Sequence, residues 1–282
     1  MAEVVIPQNR NRTMGGVKRD HQGKEKAADN RTAKDVPRNA YTSMFESFRD
    51  ELDEHHGRRM KIGKVSRDVT ALSKKIIFSL QRVRKLNQPL PARIQADVEE
   101  RLKEIAGHLV TIEGDVAGMN RYRYPLICLE EFVEAVSFSH YLQHQKLITP
   151  SETQEALPAQ ITLTPSDYVF GIFDLTGEMM RFATAATALS GSMPGLSSES
   201  FNNRTILTDM QEISSLLQIC PTVGGKPGIY SKKSSIMIEQ VRKVERLGYG
   251  ITVRGNERPK GWMPDMNESG GGDGDLEDVS MD

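Results

Sequence analysis

The chain has 282 residues and a formal charge of −1, 37 Lys/Arg against 38 Asp/Glu, so it is long enough to bury a core and shows no overall bias toward a polyanion. Cys128 and Cys220 lie among apolar neighbours and read as reduced core thiols, which excludes a disulfide framework, and no apolar run nears the roughly 18 residues of a membrane span. Val4-Val5-Ile6 is cut short by Pro7, so a secretory leader is not expected; the chain reads as soluble, cytoplasmic and nuclear.

Charge is distributed unevenly. Residues 1–40 carry nine Lys/Arg and five acids with almost no large apolar side chains, and read as a disordered basic tail. Lys18-Arg19 with Lys24 and Lys26 forms a loose import-like cluster, for which a solubilising tail is an equally good explanation. Residues 265–282 carry seven acids and no base, and read as a disordered acidic tail. The folded part is expected over residues 41–264.

From Tyr41 the apolar residues step by three or four: Met44, Phe48, Leu52, Ile62, Val65, Val69, Leu72, Ile76, Leu80 and Val83. That period predicts a long first helix with one buried stripe, ended near Leu86 by Asn87-Gln88-Pro89. A second helix is predicted over about 91–113 and a third over about 121–147, with a polar linker at 149–160. Thr164-Pro165-Ser166-Asp167 marks the start of a fourth, with Thr164 as N-cap, Pro165 in the first turn and Asp167 facing the free amides. A fifth is expected over about 197–219 and a sixth over about 229–253, separated by a Gly- and Pro-rich turn. Alternating strand patterns are scarce, so the fold class is all-α.

Two acidic pairs sit in the most apolar of these helices. Glu131-x-x-Glu134 and Asp174-x-x-x-Glu178 have spacings of three and four, which place each pair on one helical face. Carboxylates in apolar helices call for a cation, a donor or a compensating charge. Four of them on two helices would suit a hard divalent metal ion, and such sites hydrolyse phosphoesters. For Glu131 and Glu134 a narrow wet face, or pairing with core arginines, explains the pattern equally well. Asp167, Gly171, Asp174, Glu178 and Arg181 form one polar stripe that also reads as a solvated face, although Gly177 in mid-helix hints at a close approach.

Other chemistries find no support. Neither acidic pair has the Glu-x-x-His of di-iron bundles, and the Gly224-Gly225-Lys226 stretch lacks the spacing of a phosphate-binding loop. Basic side chains on the first helix are spread around it as on a solvated face. Arg67 and Lys74, seven apart, are the best candidates to meet a phosphate.

With these segments laid out, the chain resembles the translin family, and within it the X-type subunit that partners translin. The resemblance rests on Ser66-Arg67-Asp68-Val69-Thr70 running into Lys74-Lys75-Ile76-Ile77-Phe78, and on Glu131-Phe132-Val133-Glu134-Ala135-Val136-Ser137-Phe138. It rests further on Thr164-Pro165-Ser166-Asp167-Tyr168 with Asp174-Leu175-Thr176-Gly177-Glu178, and on Lys243-Val244-Glu245 through Val253-Arg254-Gly255. It implies an all-α bundle of about seven helices that assembles with translin into a hollow hetero-oligomer. It also implies a Mg²⁺-dependent endoribonuclease, Mn²⁺ being a substitute ion, that cleaves single-stranded RNA, with single-stranded DNA as a second ligand. The residues carried over as metal-binding and catalytic are Glu131, Glu134, Asp174 and Glu178, with Glu134 the candidate proton acceptor. The competing expectation is a non-catalytic helical scaffold that stabilises translin and binds nucleic acid without cutting it.

Overall fold

A computed structural model of the chain describes residues 38–195, 204–220 and 228–254. These residues form eight helices and no strand: α1 Thr42–Leu80, α2 Ala92–Val110, α3 Asn120–Arg123, α4 Cys128–His144, α5 Pro150–Glu155, α6 Pro165–Ser190, α7 Ile206–Ile219 and α8 Ile229–Arg254. The all-α expectation holds. Residues 1–37, the expected start of the fifth helix (residues 197–203), most of the turn before α8 and the acidic tail lie outside the described residues. None of the described helices is long and apolar enough to cross a membrane.

The chain divides into two units at Asp53/Glu54, within α1. In the first unit, Arg38 pairs with Glu46 at 2.8 Å, and Met44, Phe48 and Leu52 are exposed. The apolar stripe expected over the whole of α1 is therefore buried only in the second unit, where Ile62, Val65, Val69, Leu72, Ile76 and Leu80 enter the core. Gly57 and Gly63 leave α1 unbroken.

In the second unit α6 is the central helix, packed against α4, α7 and α8. Its start is set by local chemistry. The Thr164 hydroxyl accepts the Asp167 amide, and the Asp167 carboxylate accepts the Thr164 amide at 2.9 Å, satisfying two otherwise free donors. Arg121 from α3 also pairs with that carboxylate and donates to the Thr162 carbonyl at 3.0 Å, so the cap is anchored to the bundle. Gly191 ends the helix at a φ of 71°, which an L side chain adopts only with strain. Between these ends Phe170, Ile172, Phe173, Leu175, Met179 and Phe182 are buried, each worth about 1.5–3 kcal/mol of transfer free energy.

Two sequence expectations need correction. The predicted third helix is split, because Pro125 lacks an amide and drives Tyr124 to extended backbone (φ −121°, ψ 85°), leaving α3 and α4 as separate pieces. Ile127, the residue just before α4, is exposed. The supposed linker at 149–160 contains α5, held by a capping box between Thr149 and Glu152.

The helices α4 and α6 approach each other closely at Gly171. A Cβ there would lie 2.5 Å from the Val133 Cβ and 2.8 Å from the Glu130 carbonyl oxygen, distances that only a missing side chain permits. Gly177, one and a half turns on, faces the Gln240 amide of α8 at 3.0 Å, a flexible group that has room to shift. Gly171→Ala is therefore expected to destabilise the fold by about 1–3 kcal/mol through overpacking. Gly177→Ala should be nearly neutral, since helix propensity gains roughly 1 kcal/mol. Denaturant unfolding of the two variants beside the wild type checks both values.

Candidate metal centre

The α4–α6 contact brings the two acidic pairs together. Glu134 on α4 is buried, and its carboxylate has no hydrogen-bond or ion-pair partner among the described residues. Burial, followed by the negative charges of Asp174, Glu131 and Glu178, pushes its pKa from the ordinary carboxyl range up to about 8, with Lys233 acting weakly in the opposite direction. Four carboxylates from two helices thus act electrostatically on one place. The solvated-face reading of α6 fails for Glu178, which is buried, while Asp174 is half-buried.

The three outer acids are each engaged by a different side chain. Lys74 of α1 lies 3.3 Å from Glu131, and Gln81, the residue just past the end of α1, donates to Glu178 at 2.8 Å. Arg181 adds a looser contact to Glu178 at 3.8 Å. Lys233 of α8 donates to both carboxylate oxygens of Asp174, at 2.6 and 2.7 Å, and lies 3.3 Å from Glu130. Its ammonium also sits 5.6 Å from the centroid of the Phe170 ring. Burial raises the pKa of Glu130, an effect that Lys233 partly offsets.

Of the residues proposed from sequence, Glu131, Glu134, Asp174 and Glu178 share this cluster, and Lys74 touches it. Arg67 is exposed and forms no ion pair among the described residues. It lines an open, largely apolar cavity of about 750 Å³ together with Lys74, Arg59, Arg123 and Tyr124. Sequence reasoning missed Glu130, Gln81 and Lys233. Glu130 stands four residues before Glu134, and Gln81 seven after Lys74, so helical spacing carried a signal for both. Nothing in the sequence links Lys233 to an acid 59 positions earlier. Cys128 and Cys220 are both free, Cys128 buried and Cys220 only partly so.

Residues 57–255 match the family model for the translin family. The chain belongs to the translin family. Translin-associated protein X of Mus musculus is 29% identical over 253 residues, covering 79% of this chain and 82% of that protein. The Pongo abelii protein of the same name is 28% identical over 268 residues, covering 84% and 87%. The homolog from Schizosaccharomyces pombe is 29% identical over 219 residues, covering 74% and 87%. The crystal structure of apo-NeC3PO has a TM-score of 0.49 and 16% identity, covering 72% of this chain and 94% of that one, a likeness too distant to bear on the site.

The donor set of this translin-family chain fits a hard divalent cation in kind: only carboxylate oxygens, one of them buried beside three other acids. Their arrangement is not that of a closed ligand shell. Among the described residues no three His, Cys, Asp or Glu side chains are gathered as for a metal ion. Asp174 is drawn toward Lys233, Glu131 toward Lys74 and Glu178 toward Gln81, while Glu134 is the one carboxylate left unengaged. A cation held here would need Glu134 and at least one of the others to turn away from its present partner.

The raised pKa of Glu134 has a consequence for stability. Below about pH 4.5 the group is neutral in both the folded and unfolded chain; as pH rises toward about 8 the unfolded chain is ionised while the folded one holds its proton at growing cost. In metal-free buffer Glu134→Gln should therefore leave Tm nearly unchanged at or below pH 4. Near pH 9 it should raise Tm by several degrees, at about 2–4 °C per kcal/mol. Thermal melts of both proteins across that range, with chelator present, make the comparison.

Proposed function

We propose that this chain is the catalytic-type subunit of a complex with translin, a Mg²⁺-dependent endoribonuclease acting on single-stranded RNA. The observation that carries this reading is the burial of Glu134 beside the charges of Glu131, Asp174 and Glu178, contributed by two helices held at a glycine contact. Glu134, Asp174, Glu131 and Glu178 are the residues that would hold the ion. When bound, a divalent ion supplies Lewis acidity for the scissile phosphate and lowers the pKa of an attacking water.

The chain's own residues account for the remaining requirements. Glu134, with no competing partner, is the carboxylate free to ligate or to take a proton from the attacking water. Gln81 fixes the rotamer of Glu178. Arg67 and Lys74, on the wall of the open groove beside α4, offer cationic contacts to the phosphates of a strand. Partnership with translin is supported by the names of the relatives, which are similar over most of their length.

A second reading is favoured by one observation, the pairing of each outer acid with a neighbouring side chain, which a purely structural charge network would also show. In that case the chain is a non-catalytic scaffold that binds nucleic acid with translin. The two readings separate in a cleavage assay on the purified complex with translin, using labelled single-stranded RNA and Mg²⁺. The catalytic reading predicts that chelator abolishes cleavage. It also predicts that Glu134→Ala lowers the rate by on the order of 10²-fold or more, with assembly unchanged. Equal cleavage by wild type and variant, or none by either, rejects it.

Arg67→Ala should weaken RNA binding about equally across sequences. If the guanidinium contacts one phosphate, the variant also reduces the slope of log K against log salt by about 0.7. Fluorescence anisotropy titrations at three salt concentrations measure both effects.

A further inference from the structure

Lys233 occupies an unexpected place for a lysine. It lies within the first turn and a half of α8, where the amide dipoles disfavour a positive charge, so the helix itself does not account for its position. The acids do. One ammonium bonds both oxygens of Asp174 at 2.6 and 2.7 Å, approaches Glu130 at 3.3 Å and the Phe170 carbonyl at 3.5 Å, and faces the Phe170 ring. Its side chain is only 20% exposed, and it is the one cation of α8 that pairs with acids of both α4 and α6 among the described residues. It therefore stands where positive charge is most needed between those two helices.

We infer that Lys233 is a built-in counter-ion that competes with the divalent cation for Asp174, so that cation entry requires the ammonium to leave. The inference rests on the proposal above that these acids hold a metal ion. Three considerations support it. Both Asp174 oxygens face the Lys233 ammonium, so a cation on their remaining lone pairs would meet that positive charge at close range. Glu134, the carboxylate with no partner, remains unengaged on the α4 side. Moreover, a monovalent ion would merely replace one positive charge with another, whereas a divalent ion adds the charge that the four carboxylates still lack.

Removing the ammonium has two effects that favour the cation, opposed only by the loss of one positive charge that eases ionisation of Glu134. Asp174 is released from charge-assisted hydrogen bonds, and the local negative charge grows by one. Charge-assisted hydrogen bonds are of the size that shifts a binding constant by about 10-fold or more. Lys233 thus sets the affinity of the site below the value its carboxylates alone would give.

The test uses Mn²⁺ alone as the probe, with the full 282-residue chain, and follows free Mn²⁺ by electron paramagnetic resonance. Lys233→Gln should bind Mn²⁺ at least about 10-fold more tightly than wild type, and Lys233→Arg, which keeps the charge, should stay within about threefold of it. Lys233→Met serves as a second neutral variant. If a neutral variant proves poorly folded without metal, the gain in Tm on adding Mn²⁺ replaces the titration and should exceed the gain seen for wild type. Equal or weaker Mn²⁺ binding by the neutral variants overturns the competition while leaving the metal site in place. Absence of Mn²⁺ binding in all four proteins overturns the metal reading and this inference together.

Discussion

The contact between α4 and α6 at Gly171 is the constraint on which the rest of the site depends. Two helices carrying large side chains pack 8–10 Å apart, with spacing set by the residues at the crossing. Here the crossing residue has no side chain at all, and Val133 with the Glu130 carbonyl fills the space a Cβ would take. The consequence reaches beyond packing. Glu134 follows Val133 directly, and Asp174 and Glu178 lie one and two turns beyond Gly171. Two acidic pairs that any bulkier residue would hold further apart are thereby forced into one electrostatic environment.

That environment costs free energy, and the structure contains the means of limiting the cost. A buried carboxylate beside three others resists ionisation, as the elevated pKa of Glu134 records. Lys74 of α1, Gln81 just past its end and Lys233 of α8 each take one outer acid. The same side chains tie α1 and α8 to the α4–α6 pair. Stability and chemistry are coupled in this way: the groups that let the acids coexist without a metal ion are those that must shift if one enters.

Much of this was legible in the sequence. The capping signal at Thr164-Pro165-Ser166-Asp167 placed the start of α6 correctly, because a cap is a local device whose partners are three residues apart. Helical spacing identified both acidic pairs, and the family resemblance joined them. The failures were failures of distance. Pro125 is local, yet the apolar run around it masked the break between α3 and α4. The buried stripe assigned to the start of α1 followed the right period, but a period cannot say whether anything covers the face, and Met44, Phe48 and Leu52 are exposed. Lys233 was invisible, since its role arises from tertiary placement alone. Gly177 was read as a close approach; the tighter contact proved to be at Gly171, six residues earlier.

The central claim is that Glu134 and Asp174, from different helices, ligate one cation. Anomalous diffraction from crystals of the complex with translin soaked in Mn²⁺ addresses it most directly. The expected result is a peak between α4 and α6 within about 2.0–2.6 Å of oxygens from both residues, with the Lys233 ammonium displaced from Asp174. Mn²⁺ bound elsewhere, with Lys233 still seated on Asp174 and no peak beside Glu134, would contradict it.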